Sequence, residues 1–332
     1  MIRTATHRGR VMGSELVVVV TVDHHDPDDH DPDDHDPADL AASAHVFVSA
    51  LEGWWSRFID SSDISRLNMA GGSPVEVDDH TLTLLATMQA AHAVTGGAYD
   101  PSILPTMVAN GYAASRLDPA MRTQLPAPVG DLADGADLAD ISLDPLAHLA
   151  QFPVGLCVDP GGIGKGLAAD FAVQHLLEHG AVGALVSIGG DLVAAGRPPT
   201  DNGWVIAVER SDVDVDDGHG DDVPVLLTMA IDGGGVATSS TRSRRWVVDG
   251  RERHHLIDPR TRQQSATDLA GATVVAPTGW EAEAHATAAL LAGSTGFVDY
   301  LRRHRLEGAA VTLDGMVMTT DRLAALVVPF ED

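Results

Sequence analysis

Hydrophobic positions recur along this chain with two periods, and each period marks its own kind of element. Glu15 to Val22 reads E-L-V-V-V-V-T-V, a β-branched run that predicts a central strand. Leu40 to Phe58 has the length and spacing of a helix and brings Trp54, Trp55 and Phe58 to its end. Between Asp78 and Val94, Leu84, Leu85, Met88 and Ala91 make one helical face, closed by Gly96-Gly97. Gly155 to Val158, Ala184 to Ile188, Trp204 to Glu209, Val225 to Ile231 and Thr273 to Val275 read as strands, and Leu167 to His179 as a helix closed by Gly180. Arg244 to Val248 and Arg251 to Ile257 flank Asp249-Gly250, a strong hairpin signal, and the second arm delivers His254, His255, Ile257 and Asp258 to its end. Thr278 with Glu281 three residues on is a capping box, which sets Glu283 and Thr287 on one face of the helix that follows.

Two stretches break the pattern. Asp23 to Asp39 is an imperfect five-residue repeat with nine Asp, four His and nothing large to pack, which predicts a disordered loop between a strand and a helix. Its residue types bind metals, but a repeat supplies no fixed geometry for a defined site. The second stretch, 211–223, reads as a solvated hairpin tip, because its Asp spacing lacks the closing Glu and flanking helices of a calcium loop. Pro126 to Asp144, rich in Asp, Ala, Gly and Pro, is expected to be a surface excursion.

With 332 residues and 44% hydrophobic content the chain can bury a sizeable core, and 1–332 reads as one domain. A formal charge of −27 opposes binding to nucleic acid or an anionic membrane. Arginine does cluster, at Arg242, Arg244 and Arg245 and at Arg251, Arg253, Arg260 and Arg262, a local feature suited to a small anion or a solvated strand face. Cys157 is the only cysteine, so no internal disulfide forms, and its apolar neighbours suggest a buried strand position. No stretch reaches transmembrane length and no apolar leader precedes Gly13; as written, the chain is expected in the cytoplasm.

The densest chemistry lies in V-D-P-G-G-I-G-K-G-L-A-A-D, Val158 to Asp170. Asp159 precedes four glycines and Lys165, the only lysine of the chain, and a helix start follows. Glycines admit close backbone approach, and a helix N-terminus offers free N–H groups to an anion, so the stretch suits a phosphate. Gly166 after Lys165 excludes a P-loop, and the glycine spacing is not that of a dinucleotide fingerprint. The residues alone also allow a tight turn with an exposed lysine.

Seven further blocks accompany this one in order: Met12-Gly13, S-D-I-S-R-L-N at Ser62 to Asn68, T-G-G-A-Y-D-P at Thr95 to Pro101, A-L-V-S-I-G-G-D at Ala184 to Asp191, G-V-A-T-S at Gly235 to Ser239, H-H-L-I-D-P-R-T at His254 to Thr261 and T-G-W-E-A-E-A-H-A-T-A at Thr278 to Ala288. Together they resemble the ApbE family of FAD:protein FMN transferases over nearly the whole chain. The resemblance implies one α+β domain of mixed sheets and helices with a cleft for FAD and metal. It places Met12, Phe58, Ala98, Tyr99, Asp100, Asp159, Lys165 and Ile257 at the FAD, and Glu283, Thr287 and the carbonyl of Gly162 around Mg²⁺. His255 is the implied base that activates the acceptor, with His254 its rival. The alternative for Asp100 is a helix cap, with the place at the FAD favoured, and His92 is expected in the core or at its rim. Many relatives carry an export signal or lipid anchor.

Three positions depart from the family pattern: Phe58 stands for a tyrosine, Ser187 for an asparagine and Glu283 for an aspartate. Glu283 moves its carboxylate out by roughly 1.5 Å, one carbon–carbon bond, which calls for backbone adjustment, a bridging water or an ion more tolerant than Mg²⁺, such as Mn²⁺. His285 replaces an apolar residue and should point away from the metal face. The expected activity is Mg²⁺-dependent transfer of FMN from FAD to a threonine or serine of an acceptor protein, releasing AMP. The alternatives are an FAD pyrophosphatase giving FMN and AMP, and a flavin-binding protein without catalysis.

Overall fold

A computed structural model of the protein describes residues 2–23, 36–115, 117–126, 136–213, 223–248 and 250–328. Most of the Asp23 to Asp39 repeat, 127–135 of the expected excursion, 214–222 of the second acidic stretch and Asp249 of the hairpin turn lie outside the described residues. Contacts divide the chain into two compact units. One comprises Met1–Val48, Lys165–Arg244 and Ala266–Asp332, the other Ser49–Gly164 and Arg245–Ser265.

The first unit is built on an eight-stranded sheet whose strand order follows the chain: β1 (Ile2–Val11), β2 (Ser14–Asp23), β3 (Gly183–Ile188), β4 (Asp191–Gly196), β5 (Gly234–Ser240), β6 (Leu269–Ala276), β7 (Glu307–Thr312) and β8 (Val317–Thr319). Every neighbouring pair is antiparallel. In β2, Leu16, Val18 and Val20 are fully buried while the residues between them are half-buried, as the period of two demands. Each such side chain contributes roughly 1.5–3 kcal/mol through burial. β2 is paired on both sides but lies next to the edge, because β1 precedes it. The sequence I-R-T-A-T-H-R-G-R-V has too few aliphatic residues to announce that strand. The ribbon Trp204–Glu209 with Val225–Ile231 forms as expected, and its Trp204, Ile206 and Met229 pack against Leu192, Val236 and Ala309 of the sheet.

Four helices concern the site: α1 (Pro37–Trp55), α2 (Gly164–Glu178), α3 (Gly279–Leu291) and α4 (Gly293–His304). α3 packs on β5 and β6 through alanines, including Ala282, Ala286 and Ala289. Thr278 caps it as the sequence indicates, accepting from the Glu281 N–H and donating to the Glu281 carboxylate at 2.8 Å. Its first residue, Gly279, touches Gly166 so closely that a Cβ on Gly166 would lie 2.3 Å from the Gly279 carbonyl oxygen. Glycine is required there for two helix starts to meet. α2 begins earlier than the apolar spacing indicates, at Gly164, because the glycines themselves form its first turn.

In the second unit, the helix Asp79–Val94 forms as expected, with Leu84, Leu85 and Met88 fully buried. α1 stops at Trp55, leaving Phe58 beyond it in a turn. The hairpin pairs Arg245–Val248 with Arg251–His254, but the second arm ends there; Ile257–Asp258 pairs instead with Gln263–Gln264. Gly155 to Val158 is not a strand. Val158 is buried and both of its backbone groups are satisfied, but by one side chain: Asn68 Oδ1 accepts from its N–H at 2.8 Å and Asn68 Nδ2 donates to its carbonyl at 3.0 Å. A side-chain amide thus replaces the neighbouring strand. Cys157 is buried there, its thiol pushed up to about 11 by burial.

Candidate functional site

Four backbone segments of the first unit meet around Lys165. The β1–β2 turn consists of Met12 at φ 51° and Gly13 at φ 71°, the left-handed pair that a two-residue hairpin needs. A methionine in that region is strained, and such strain is commonly kept where a side chain must be aimed. Beside it runs the Gly189-Gly190 turn between β3 and β4, whose Gly189 N–H donates to Glu15 O at 2.8 Å. A Cβ on Gly189 would strike Ser14 and come within 4.0 Å of the Lys165 side chain. The first turn of α2 supplies Lys165 itself, and α3 supplies Glu283.

Lys165 is not the exposed lysine of a simple turn. Its ammonium donates to the carboxylate of Asp191, at the start of β4, and to Glu283 Oε1 at 2.7 Å. Both carboxylate residues are only 4% exposed. Burial pulls the Lys165 pKa down, and Glu283 opposes that shift. The second Glu283 oxygen accepts from the Gly166 N–H at 2.8 Å, so the glutamate fastens α3 to the first turn of α2. Asp191 Oδ1 accepts in turn from the Thr238 N–H at 3.1 Å, and Ser239 Oγ lies 2.9 Å from Thr287 Oγ1. Lys165, Glu283 and Thr287 are therefore brought together with Asp191 and Ser239, which the sequence reading did not single out as site residues. The signal for both was present, in G-G-D and G-V-A-T-S.

A second joint between the two helices is Asp170, which accepts from the N–H groups of Gly279 at 2.8 Å and Trp280 at 3.0 Å. Its pKa is raised to about 6, first by burial and then by Glu281 and Glu283, against the lowering effect of those two hydrogen bonds. His285 points away from Glu283 as expected, with its Nδ1 2.7 Å from the Tyr300 hydroxyl on α4. Burial and the nearby His304 lower its pKa to about 4.

The other expected residues lie in the second unit. Asp159 accepts from the Gly161 N–H at 2.9 Å and pairs with Arg57 Nε at 3.1 Å. Arg57, buried and unforeseen, lays its guanidinium 4.2 Å from the Phe58 ring centroid and 4.7 Å from that of Tyr112. Tyr112 stacks on Trp246 at 5.2 Å, giving a wall of three rings and one cation. The Asp159 N–H donates to Pro101 O at 2.9 Å, which joins the glycine stretch to the Ala98 to Pro101 block. The buried Tyr99 ring fills the space beside Gly162, where a Cβ would lie 2.8 Å from it. Asp100 does act as a cap, accepting from the Ser102 N–H at 2.8 Å. His92 is half-buried with Nδ1 3.0 Å from Tyr99 O, a rim position as expected. His254 ends its strand, burial lowers its pKa, and its Nδ1 is buried without a hydrogen bond among the described residues. His255 follows, and Ile257 is buried in the short ladder.

Among the described residues no three Asp, Glu, His or Cys side chains converge as a metal cage. The donors around Lys165 nonetheless suit a hard cation. All are oxygens, and two nearly inaccessible carboxylates share a single ammonium, leaving the trio one negative charge in excess.

The chain matches the ApbE family over residues 12–312. It is 26% identical over 280 residues to the FAD:protein FMN transferase of Escherichia coli strain K12, covering 84% of this chain and 78% of that one. Against the FAD:protein FMN transferase of Treponema pallidum it is 30% identical over 251 residues, 70% of this chain and 66% of that one. Among solved structures, the ApbE protein of Thermotoga maritima superimposes with a TM-score of 0.78 at 23% identity, covering 98% of this chain and 100% of the other. The apo flavinyl transferase ApbE of Pseudomonas stutzeri gives 0.75 at 24% identity, covering 98% and 97%. These structures match the mixed helices and sheets expected from the sequence.

Proposed function

The chain belongs to the ApbE family, and from that premise we propose that it transfers the FMN half of FAD to a threonine or serine hydroxyl of an acceptor protein, releasing AMP. The observation that carries the reading is the buried Asp191–Lys165–Glu283 cluster at the first turn of α2, in a chain whose relatives bear the name FAD:protein FMN transferase. In the reaction the acceptor oxygen bonds to the FMN phosphorus, the bridging P–O bond breaks, and AMP takes the bond's electron pair. The chain's tasks are to hold the pyrophosphate, screen its charge and remove one proton.

Lys165, a point charge at the positive end of the α2 dipole, suits the phosphates. Phe58, with Arg57, Tyr112 and Trp246 around it, suits the flavin ring, together with Met12, Ile257 and the Ala98, Tyr99 and Asp100 block. Asp159 offers a carboxylate oxygen to the bound nucleotide. Glu283, Thr287 and the Gly162 carbonyl would hold Mg²⁺ or Mn²⁺, with Asp191 and Ser239 beside the first two. The ion supplies charge neutralisation at the phosphate oxygens. His255 takes the acceptor's proton, and His254, kept neutral by burial, is the second candidate.

Incubation with FAD and Mg²⁺, with and without a flavin-carrying acceptor, tests the reading. The expected result is AMP only when acceptor is present. AMP without acceptor would make the protein a pyrophosphatase, and no AMP in either case would leave flavin binding alone.

A further inference from the structure

The arginine clusters noted in the sequence are not used by the flavin reading, and in the second unit they divide into two kinds. Arg245 pairs with Glu252, and Arg260 makes a two-pronged pair with Asp258 at 3.1 and 2.9 Å. Arg253 and Arg262 pair with no carboxylate among the described residues, in a chain where acids outnumber bases 48 to 21. Both line one cleft of about 360 Å³, together with Asn110, Gln263 and Gln264. No acid lines it.

The cleft is held in place from several sides. Asn110 ends the helix Leu104–Ala109, with its carbonyl accepting from Trp246 Nε1 at 2.9 Å and its amide donating to Thr106 O at 2.8 Å. Arg253 stands opposite Trp246 in the hairpin, and Gln263 and Gln264 are fixed by pairing with Asp258 and Ile257. Arg262 has φ 54°, a left-handed backbone that favours glycine. Arg262 is exposed and Arg253 half-buried, so both can meet a ligand from solvent, and a long cation in a glycine's conformation is the kind of local strain kept where a side chain must be aimed.

We propose that the cleft bounded by Asn110, Arg253, Arg262, Gln263 and Gln264 is a subsite for an oxyanion, carboxylate or phosphate. Two guanidinium forks match the paired oxygens of such groups, and the glutamine amides can donate to the remaining lone pairs. The ligand's charge replaces the acids that the other arginines have as partners. The site does not depend on the flavin reading, because its ligand chemistry follows from the cleft itself.

The test follows arginine Nε–H signals of ¹⁵N-labelled protein by NMR at constant ionic strength, with inorganic phosphate in one titration and malonate in another. The expected result is saturable shifts with at least one probe, weakened roughly tenfold or more in Arg253→Gln and in Arg262→Gly. Arg262→Gly suits its backbone, so it should fold as well as the parent, and its thermal midpoint checks this. Shifts that grow linearly without saturation, or an affinity unchanged in a folded Arg262→Gly protein, would overturn the proposal. FAD added to the probe-bound protein separates the sources. Displacement of the probe assigns the cleft to a phosphate of FAD, and retention assigns it to an anion on a second molecule.

Discussion

At Glu283 the side chain already has two partners before any ion is considered: Lys165 on one oxygen and the Gly166 N–H on the other. Glu283→Gln keeps the shape and removes the charge, so Mg²⁺-dependent AMP release should fall by about tenfold or more, in line with the loss of a charged hydrogen-bond partner. Thr287→Val should also weaken it, whereas Glu283→Asp should keep or improve it. Titrating Mg²⁺ and Mn²⁺ against AMP release for the parent and these variants measures the set, and identical metal dependence would remove both residues from the site. His285 belongs to the same helix but to stability. Its pKa is lowered from 6.5 to about 4, so the folded state binds fewer protons than the unfolded state between those values. The stability is present above pH 6.5 and is lost as pH falls toward 4, by on the order of 3 kcal/mol at most. Arg303 and His304 of α4 add positive charge nearby, and Tyr300 is the partner to be kept. His285→Gln retains a hydrogen-bond group without a titration, so its thermal midpoint should vary less between pH 7 and 5 than the parent's.

At the scale of elements, the joint between α2 and α3 rests on Gly166 against Gly279 and on Asp170 capping α3. The folded pKa of Asp170 is raised, so the charged form costs stability, and that cost sets in as pH rises from 3.8 through about 6. Asp170→Asn should therefore gain on the parent between pH 5 and pH 8, by about 1–3 kcal/mol, read from urea midpoints. Asp170→Ala leaves both N–H groups uncapped and should lose about 1 kcal/mol at either pH. The elements themselves were unevenly legible. β2, α3 and the Asp79–Val94 helix carry periodic apolar residues and caps, and their type was plain. β1 was not, since an edge strand with half-buried alternate positions needs few aliphatic residues. Val158 misled because burial and a strand share one apolar pattern, while the Asn68 amide that completes its hydrogen bonds lies far away in sequence. The Asp191–Lys165–Glu283 contact was illegible for the same reason: spacing places residues along one element, and only tertiary contact sets two carboxylates on one ammonium.

For the whole molecule the governing quantity is charge. At −27 the protein repels FAD, whose pyrophosphate is itself anionic, and the repulsion acts over the Debye length, about 30 Å at 0.01 M salt and about 8 Å at 0.15 M. Raising salt through that range should therefore speed FAD association, by a few-fold, if the average charge decides the encounter. The local cations work the other way. Lys165 is outweighed by its two carboxylates, and Arg253 and Arg262 pair with no carboxylate among the described residues, so if the latter two steer the nucleotide the rate should fall as salt screens them. Stopped-flow flavin fluorescence at several salt concentrations measures the sign. The expected sign is positive, because the excess of acids over the whole surface outweighs two arginines at distances beyond a few ångströms. A negative slope that turns positive in Arg253→Gln/Arg262→Gly would show instead that the cleft governs how the nucleotide arrives.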